Sequence, residues 1–217
     1  MAIKFVRMTL GPLPNNVYLL GDEDNGDAVV IDPSFDSQLV LARVETLGWT
    51  LRQVWLTHGH FDHIAGAAGV VKAFDPPLPV GLHPLDLDWY EDQGGARRFG
   101  MSIPEPPQID ILFEQDMQLG FRIDKEPVVT VLHAPGHSEG HVMFYCEALE
   151  ALFCGDVIFR NGIGRTDLDG GDRDQLLKSI KSQVLSLPDH TRLLPGHGPE
   201  STVGYEREYN PYLQGID

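Results

Sequence analysis

Residues 57 to 63 read Thr-His-Gly-His-Phe-Asp-His, which places three imidazoles and one carboxylate within six consecutive residues. Neutral imidazole and carboxylate are preferred ligands for zinc, and they also suit iron or manganese. If this stretch is an extended loop, alternation brings His58 and His60 to the same side, and Gly59 leaves room for a tight bend of the backbone. The motif therefore predicts a metal site.

Three further segments share one design, an apolar run that ends in Gly-His or Gly-Asp. They read Val-Leu-His-Ala-Pro-Gly-His at 131–137, Leu-Phe-Cys-Gly-Asp at 152–156 and Leu-Leu-Pro-Gly-His at 193–197. If each run is a strand, each delivers a potential ligand just past its carboxyl end, where open sheets commonly place ligands. Seven ligands are too many for a closed structural zinc and suit two metals that share a bridging carboxylate. The predicted set is His58, His60, Asp62, His63, His137, Asp156 and His197.

The other histidines show no such pattern. His83, which is followed by proline, and His190, in a Pro-Asp-His-Thr stretch, are predicted to be surface or turn residues. His133 and His141 lie close to His137 in the sequence. Either could orient a ligand through a hydrogen bond, and simple packing explains both equally well.

The remaining pattern is that of an α/β or α+β protein, read as one domain over residues 1–217. Short apolar runs bounded by turn residues predict strands at 17–20, 28–31, 54–56 and 128–132. Helical character marks 37–47, 65–74 and 172–187, and the last opens with Asp172 and Gln175 as in a capping box. Residues 76–107 are rich in proline and glycine, which suits either a lid over a site or a surface excursion that packs its own aromatic residues.

Composition restricts the possible partners and the compartment. The 32 acidic residues outnumber the 16 basic ones, for a net charge of −16, and such a surface repels nucleic acid and anionic membranes. No transmembrane run or signal peptide is recognised, so we expect a cytoplasmic protein. Cys146 and Cys154 both lie in apolar runs, and no disulfide is expected.

Taken together, the motifs resemble the metallo-β-lactamase superfamily, whose fold is an αββα sandwich of two mixed sheets flanked by helices. The resemblance rests on residues 57–63 and the later Pro-Gly-His, Gly-Asp and Pro-Gly-His motifs, and it extends to the opening stretches 11–20 and 29–34. Residues 155–167 and 196–213 are most similar to hydroxyacylglutathione hydrolases (glyoxalase II) of the short, single-domain bacterial type.

That resemblance implies a ligand assignment. One metal would be held by His58, His60 and His137, the other by Asp62, His63 and His197, and Asp156 would bridge the two. Zinc is the first expectation for both ions, with iron or manganese as alternatives.

It also implies an activity, the hydrolysis of S-lactoylglutathione-like thioesters by a hydroxide that bridges the metals. Asp62 would hold the second metal and orient the hydroxide. Arg165 would bind a substrate carboxylate, although a salt bridge to Asp167 or Asp169 explains it nearly as well. Asp32 matches an acidic position that supports the site, and a turn-capping role is equally compatible.

Three other functions compete with this prediction. A persulfide dioxygenase of the same superfamily would hold a single iron through two His and one Asp, and it shares the 164–167 stretch and the closing Asn-Pro. A β-lactamase is less favoured, because several such enzymes use Cys where this chain has Asp156. In a non-catalytic binding module, the metal would only stabilise the fold.

We expect a small-molecule thioester as the partner, with no nucleic acid and no membrane, and an oligomeric state that the sequence does not determine.

Overall fold

The computed structural model describes residues 2–123 and 126–215. Its first sheet has six strands in the order β1-β2-β3-β4-β5-β6, antiparallel from β1 to β3 and parallel from β3 to β6. The strands are β1 Ile3–Leu10, β2 Asn15–Asp22, β3 Asp27–Ile31, β4 Thr50–Trp55, β5 Val80–Leu82 and β6 Ile111–Leu112. Every residue of β2 and β3 is buried, because both faces of the sheet are covered there.

A second six-stranded sheet has the order β14-β13-β10-β9-β8-β7, in which only the β10–β13 pair is parallel. Its strands are β7 Gln118–Leu119, β8 Val129–His133, β9 Val142–Cys146, β10 Ala151–Gly155, β13 Arg192–Pro195 and β14 Ser201–Thr202. Strands β11 Ile158–Phe159 and β12 Gly162–Ile163 form a separate two-stranded ribbon.

Helices cover the outer faces of both sheets. They are α1 Ser37–Leu47, α2 Phe61–Ile64, α3 Ala67–Val71, α4 Leu87–Glu91, α5 Arg173–Ser179, which continues as a π-helical turn over 180–184, and α6 Val203–Tyr209. One apolar cluster joins α1 and α3 to the first sheet, and another joins α5 and α6 to the second. A third cluster, which draws Trp55 from one sheet and Phe144 and Phe153 from the other, fills the space between the sheets. These layers confirm the predicted αββα sandwich.

All four predicted strands overlap observed strands, and each of the three predicted helical segments contains an observed helix. Asp172 caps α5 by accepting a hydrogen bond from the Gln175 backbone N–H at 2.9 Å. The helix inside 65–74 is shorter than expected, since α3 spans Ala67–Val71 and is separated from α2, which begins inside the histidine motif. The break lies at Gly66, whose N–H donates to the Pro33 carbonyl at 2.7 Å, and a side chain there would collide with the backbone of Ser34.

The 76–107 segment, left open between a lid and a surface excursion, packs against the histidine motif. The ring of Trp89 meets His60 edge-on at 4.8 Å between centroids, and Phe99 lies 5.3 Å from Phe61. Gly94 takes a positive φ of 62° and approaches the Phe61 backbone so closely that no side chain would fit. The segment therefore covers one side of the motif.

Two simpler predictions concern the cysteines and the membrane. Cys146 and Cys154 are free and buried, as expected. Within residues 2–123 and 126–215, no helix is both long enough and apolar enough to cross a membrane.

One charged cluster links the first sheet to the segment after β7. Asp27, at the start of β3, accepts hydrogen bonds from Arg52 Nε at 2.6 Å and from Arg122 Nε at 2.6 Å. The hydrogen bond from Arg122, reinforced by Arg52, lowers the pKa of Asp27 despite its burial. A carboxylate with a lowered folded-state pKa stabilises the fold above its unfolded pKa, and that contribution is lost as the pH falls through the folded value.

Asp27→Asn should therefore lower the free energy of unfolding at pH 7 by about 1–2 kcal/mol, because the charge-assisted hydrogen bonds from Arg52 and Arg122 are weakened. The difference from the parent protein should shrink below about pH 4, where the carboxylate of the unfolded parent chain becomes protonated, and it should disappear as the pH falls through the lower folded-state pKa. Urea unfolding at pH 7, 5 and 3 measures this. Asp189→Asn, at an exposed pair with Arg207, is the control and should change little. An Asp27→Asn difference that is the same at pH 3 and pH 7 would contradict the prediction.

Candidate metal centre

The seven predicted ligands meet at one edge of the sandwich. His58, His60, Asp62 and His63 follow the carboxyl end of β4, and the other three follow β8, β10 and β13. Three overlapping groups form there, and within each group the potential ligand atoms lie within 4.8 Å of one another. The groups are His58, His60 and His137; His58, His63 and Asp156; and Asp62, His63 and His197.

The first group is a cluster of imidazoles. His60 Nδ1 and His137 Nε2 are 2.9 Å apart, and the ring of His58 meets both rings edge-on. His58 Nδ1 lies 3.0 Å from Thr57 Oγ1, while His137 Nδ1 lies 2.8 Å from the Arg165 carbonyl oxygen. Because these outer contacts place the proton on Nδ1, the Nε2 lone pairs of His58 and His137 are directed into the cluster.

The other two groups add the carboxylates. His63 Nδ1 lies 2.9 Å from Asp32 Oδ2, which leaves its Nε2 at 3.7 Å from Asp62 and 3.5 Å from Asp156 Oδ1. His197 Nε2 lies 3.1 Å from Asp62 and 3.6 Å from Asp156 Oδ2. Asp156 thus stands between the groups, since its Oδ2 is also 3.7 Å from the His137 ring of the first.

Buried polar atoms without hydrogen-bond partners indicate whether these residues suit a metal. Among the described residues, His58 Nε2, His63 Nε2 and Asp156 Oδ1 are buried and have no hydrogen-bond partner. A buried polar atom without a partner is destabilising, and a bound ion at the same place would satisfy it. All three atoms point into the cluster, and neutral imidazole and carboxylate are suitable donors, so the residues fit divalent cations.

The family model of the metallo-β-lactamase superfamily matches residues 10–197. The chain belongs to the metallo-β-lactamase superfamily. Two curated relatives within it align over most of their lengths. The probable metallo-hydrolase YqgX of Bacillus subtilis is 36% identical over 99% of each chain. The hydroxyacylglutathione hydrolase GloC of Haemophilus influenzae is 34% identical over 88% of this chain and 89% of its own.

Solved structures in the superfamily share the architecture. TTHA1623, in a di-iron-bound form, is 44% identical with a TM-score of 0.86, over 96% of this chain and all of that one. The B3 metallo-β-lactamase BLEG-1 is 38% identical with a TM-score of 0.90, over 98% of this chain and all of that one. ETHE1 from Myxococcus xanthus is 25% identical with a TM-score of 0.77, over 96% and 83% of the two chains.

The directions of the histidine pKa shifts differ between the imidazole group and the groups that contain carboxylates. Burial lowers the pKa of His60 to about 3, with His137 adding to the effect, and burial also lowers the pKa of His58 well below its usual value. Burial would lower the pKa of His63 too, but three carboxylates, led by Asp156, outweigh it and raise that pKa. Neutral imidazoles therefore form one side of this superfamily site, and the negative charge is concentrated on the other.

Several residues beside the ligands settle alternatives that the sequence left open. His141 Nε2 accepts a hydrogen bond from the Asp156 backbone N–H at 3.0 Å, and its ring stacks on His58 at 4.7 Å, so it positions two predicted ligands. His133 instead bonds the Glu139 carbonyl at 2.9 Å and does not touch the cluster. Asp32 is more than a turn cap, since its carboxylate holds both the Thr57 backbone N–H and the His63 ring.

Two predictions about histidines outside the ligand set had different outcomes. His190 is exposed, as expected, and pairs with Glu150 at 3.2 Å. Of the two roles predicted for His83, surface or turn, the turn is observed, since His83 Nδ1 accepts from the Leu85 N–H at 3.3 Å at the start of a 3-10 turn. Its ring is buried and stacks on His133 at 4.2 Å.

Sequence reasoning missed Asp86. This fully buried carboxylate accepts hydrogen bonds from the Gly59 N–H at 2.9 Å, the Ser138 hydroxyl at 2.7 Å and the Gly140 N–H at 2.6 Å. It therefore ties the loop that carries His58 and His60 to the loop that carries His137. A lone aspartate in a Pro-Leu-Asp-Leu stretch has no distinctive spacing, so the sequence offered no signal for this role.

A cavity of about 450 Å³ opens beside the cluster. Five of the seven predicted ligands line it, namely His60, Asp62, His137, Asp156 and His197. Arg165 lines it as well, but its side chain forms a two-point pair with Asp167, at 2.8 Å for each contact. The salt-bridge alternative for Arg165 is thus observed.

Gly196 offers a direct test of the centre. A Cβ at this position would lie 2.3 Å from Asp156 Oδ1 and 2.7 Å from His63 Cε1. Gly196→Ala should therefore displace the central carboxylate and weaken zinc affinity by about 10–100-fold, as measured by competition with a chromophoric chelator.

The control for this substitution is Gly162→Ala on β12, where the nearest atom to the new Cβ is Phe159 Cβ at 3.7 Å. It should leave the affinity unchanged. Circular dichroism checks that both variants fold. Unaltered zinc affinity in a folded Gly196→Ala protein would show that Asp156 is not needed for metal binding.

Proposed function

We propose that the chain is a binuclear metal-dependent hydrolase that cleaves thioesters, so that R-CO-S-R′ and water give a carboxylate and a thiol. The observation that carries the proposal is the convergence of two ligand groups on Asp156, with unpartnered buried donor atoms, beside a substrate-sized cavity. The relative GloC, named a hydroxyacylglutathione hydrolase, supports a thioester substrate of the S-lactoylglutathione type.

In this proposal His58, His60 and His137 would hold one divalent cation, Asp62, His63 and His197 would hold the other, and Asp156 would be shared between them. Zinc is the first candidate, with iron or manganese as alternatives, and the di-iron-bound TTHA1623 supports the number of ions. When bound, cations at this position would supply Lewis acidity, which lowers the pKa of a coordinated water to about 7.

The side chains of this protein have defined tasks in the reaction. Asp62 lines the cavity and orients the attacking water, while its Oδ2 is held by His197 at 3.1 Å. No serine or cysteine lines the cavity within the described residues. The buried Cys154 thiol donates to the Leu152 carbonyl, and burial raises its pKa, so it stays protonated. A thiolate leaves readily, so the site needs little acid assistance.

The persulfide dioxygenase alternative needs a single iron held by two His and one Asp. The complete third group of Asp62, His63 and His197 favours the hydrolase, because together with the first group it offers more donors than one iron requires. β-Lactam hydrolysis is a further alternative, because the solved structure BLEG-1, 38% identical to this chain, is named a metallo-β-lactamase.

A binding module with a purely structural metal is disfavoured, because it would not need the open cavity beside the ligands.

The proposal extends to partners and compartment. We infer a small-molecule substrate, no binding of nucleic acid or membranes, and a cytoplasmic location. The net charge of −16 supports the absence of nucleic-acid and membrane partners, because it disfavours association with phosphate-rich surfaces.

Three assays on one metal-analysed preparation distinguish the functions. Thioester hydrolysis is followed with S-lactoylglutathione, β-lactam hydrolysis with a chromogenic cephalosporin, and oxygen uptake with glutathione persulfide. We expect about two metal ions per chain with thioester turnover as the dominant activity. One iron per chain with oxygen uptake would overturn the proposal.

His60→Ala tests the ligand assignment. Removing this imidazole should lower metal content to about one ion per chain and reduce kcat/KM by at least about 100-fold, because a direct ligand contributes more than the groups that orient it. His190→Ala replaces an exposed histidine and should change neither quantity. Full metal occupancy with full turnover in His60→Ala would remove His60 from the ligand set.

A further inference from the structure

The cavity beside the metal centre has one polar end and largely apolar walls. The ligand residues form the polar end. The apolar side chains that line the rest are Leu13, Phe61, Phe99, Phe159, Ile163 and Leu168. A wall of this composition gains free energy only from a substrate group that is itself apolar.

Two of these side chains are left half in water. Leu13 is 43% exposed and Phe99 is 44% exposed, although both are large and hydrophobic. Phe99 is held in place by its contact with the buried Phe61 ring, 5.3 Å away. An apolar group in the cavity would remove this surface from water, which favours binding in proportion to the area covered.

Away from the ligand residues, where bound cations would lie, the side chains around the cavity do not suit an anionic group. Among the described lining residues, Arg165 is the one Lys or Arg side chain. Its Nε and Nη2 already donate to the two oxygens of Asp167, each at 2.8 Å. A substrate carboxylate would have to displace Asp167 to take this edge of the guanidinium, and at the Nη1 edge it would meet a charge that Asp167 already balances.

A second, smaller cavity of about 250 Å³ lies against the same chain segments, 98–99 and 168–169, and is lined by acidic side chains. Its only cation among the described lining residues, Arg98, pairs with Asp169 at 2.5 Å and lies over the Trp89 ring. The other charged residues that line it are Asp88, Asp92 and Glu139. The surroundings of the active cavity are therefore net negative.

We propose that the substrate is a thioester whose group in this cavity is apolar and uncharged, and that the Arg165–Asp167 pair disfavours anionic thiols. This inference rests on the proposed thioesterase function, and it replaces the S-lactoylglutathione type of substrate that GloC suggests with a thioester of a neutral thiol. Glutathione carries one more carboxylate than ammonium when its sulfur is acylated, so it is repelled by the acidic side chains of the smaller cavity. A thioester of a neutral thiol has no such carboxylate and is not repelled.

Binding can be measured without turnover. The probes are two nonhydrolysable thioethers, S-hexyl-N-acetylcysteamine and S-hexylglutathione, titrated into metal-loaded protein by calorimetry. We expect the neutral thioether to bind at least about tenfold more tightly. Equal affinity, or tighter binding of S-hexylglutathione, would overturn the inference.

Hydrolysis gives a second readout. Along a series of N-acetylcysteamine thioesters from acetyl to hexanoyl, kcat/KM should rise by about threefold per added methylene until the cavity is filled. At equal acyl group, the glutathione thioester should be the poorer substrate. If the protein hydrolyses both classes and prefers the glutathione thioester, the inference fails and the thioesterase proposal stands. If it hydrolyses no thioester, both fail.

Two substitutions assign the preference to named side chains. Asp167→Asn frees Arg165, so the ratio of kcat/KM for the glutathione thioester to that for the neutral one should rise about three- to tenfold. Asp189→Asn, at the exposed Arg207 pair, is the matched control and should leave the ratio unchanged. No rise in Asp167→Asn would remove the ion pair from the explanation.

Phe99→Ala tests the apolar wall. It should lower kcat/KM for the hexanoyl thioester relative to the acetyl thioester by about tenfold, since the longer chain loses its contact surface. Leu39→Ala, at a 53% exposed position on α1 that does not line the cavity, should leave the ratio of the two kcat/KM values unchanged. An unaltered chain-length dependence in Phe99→Ala would show that the apolar group binds elsewhere.

Discussion

The outward-facing nitrogens of the buried imidazoles govern the geometry of this site. His58 Nδ1 is held by the Thr57 hydroxyl, which in turn donates to Asp32 at 2.7 Å, and the same carboxylate holds His63 Nδ1. Each of these hydrogen bonds selects one tautomer and turns the other ring nitrogen toward the cluster. One aspartate at the end of β3 therefore orients an imidazole in each of the two ligand groups.

The sandwich makes that orientation possible because the ligand loops are tied across its two sheets. The side chain of Asn16, on β2 of the first sheet, donates to the Pro195 and Gly198 carbonyls on either side of His197. Its neighbour Asn15 donates to the Asp62 carbonyl at 3.1 Å. Because each tie joins a rigid strand to a loop that carries a ligand, the seven side chains are held before any ion arrives.

Much of this arrangement could be predicted from the sequence, because histidine and aspartate clustered directly after apolar runs are typical of a metal site. Asp86 and the Arg165 carbonyl could not be found this way. A carbonyl oxygen is present in every residue, and a lone buried aspartate is recognised only when its partners are seen. The break between α2 and α3 was not predicted for a related reason. Glycine is required at position 66 because the backbone of Ser34 lies against it, a contact between residues far apart in the sequence.

The unpartnered polar atoms that make this site suitable for cations also destabilise the folded protein. Buried donors and acceptors without partners, such as His58 Nε2 and Asp156 Oδ1, each cost about 1–3 kcal/mol. A cation that binds the folded chain would recover this free energy, so ion binding and stability should be coupled. Replacing these side chains with apolar ones would relieve the burden and remove the donors together. The unpartnered atoms are thus explained by function, because packing alone would select against them.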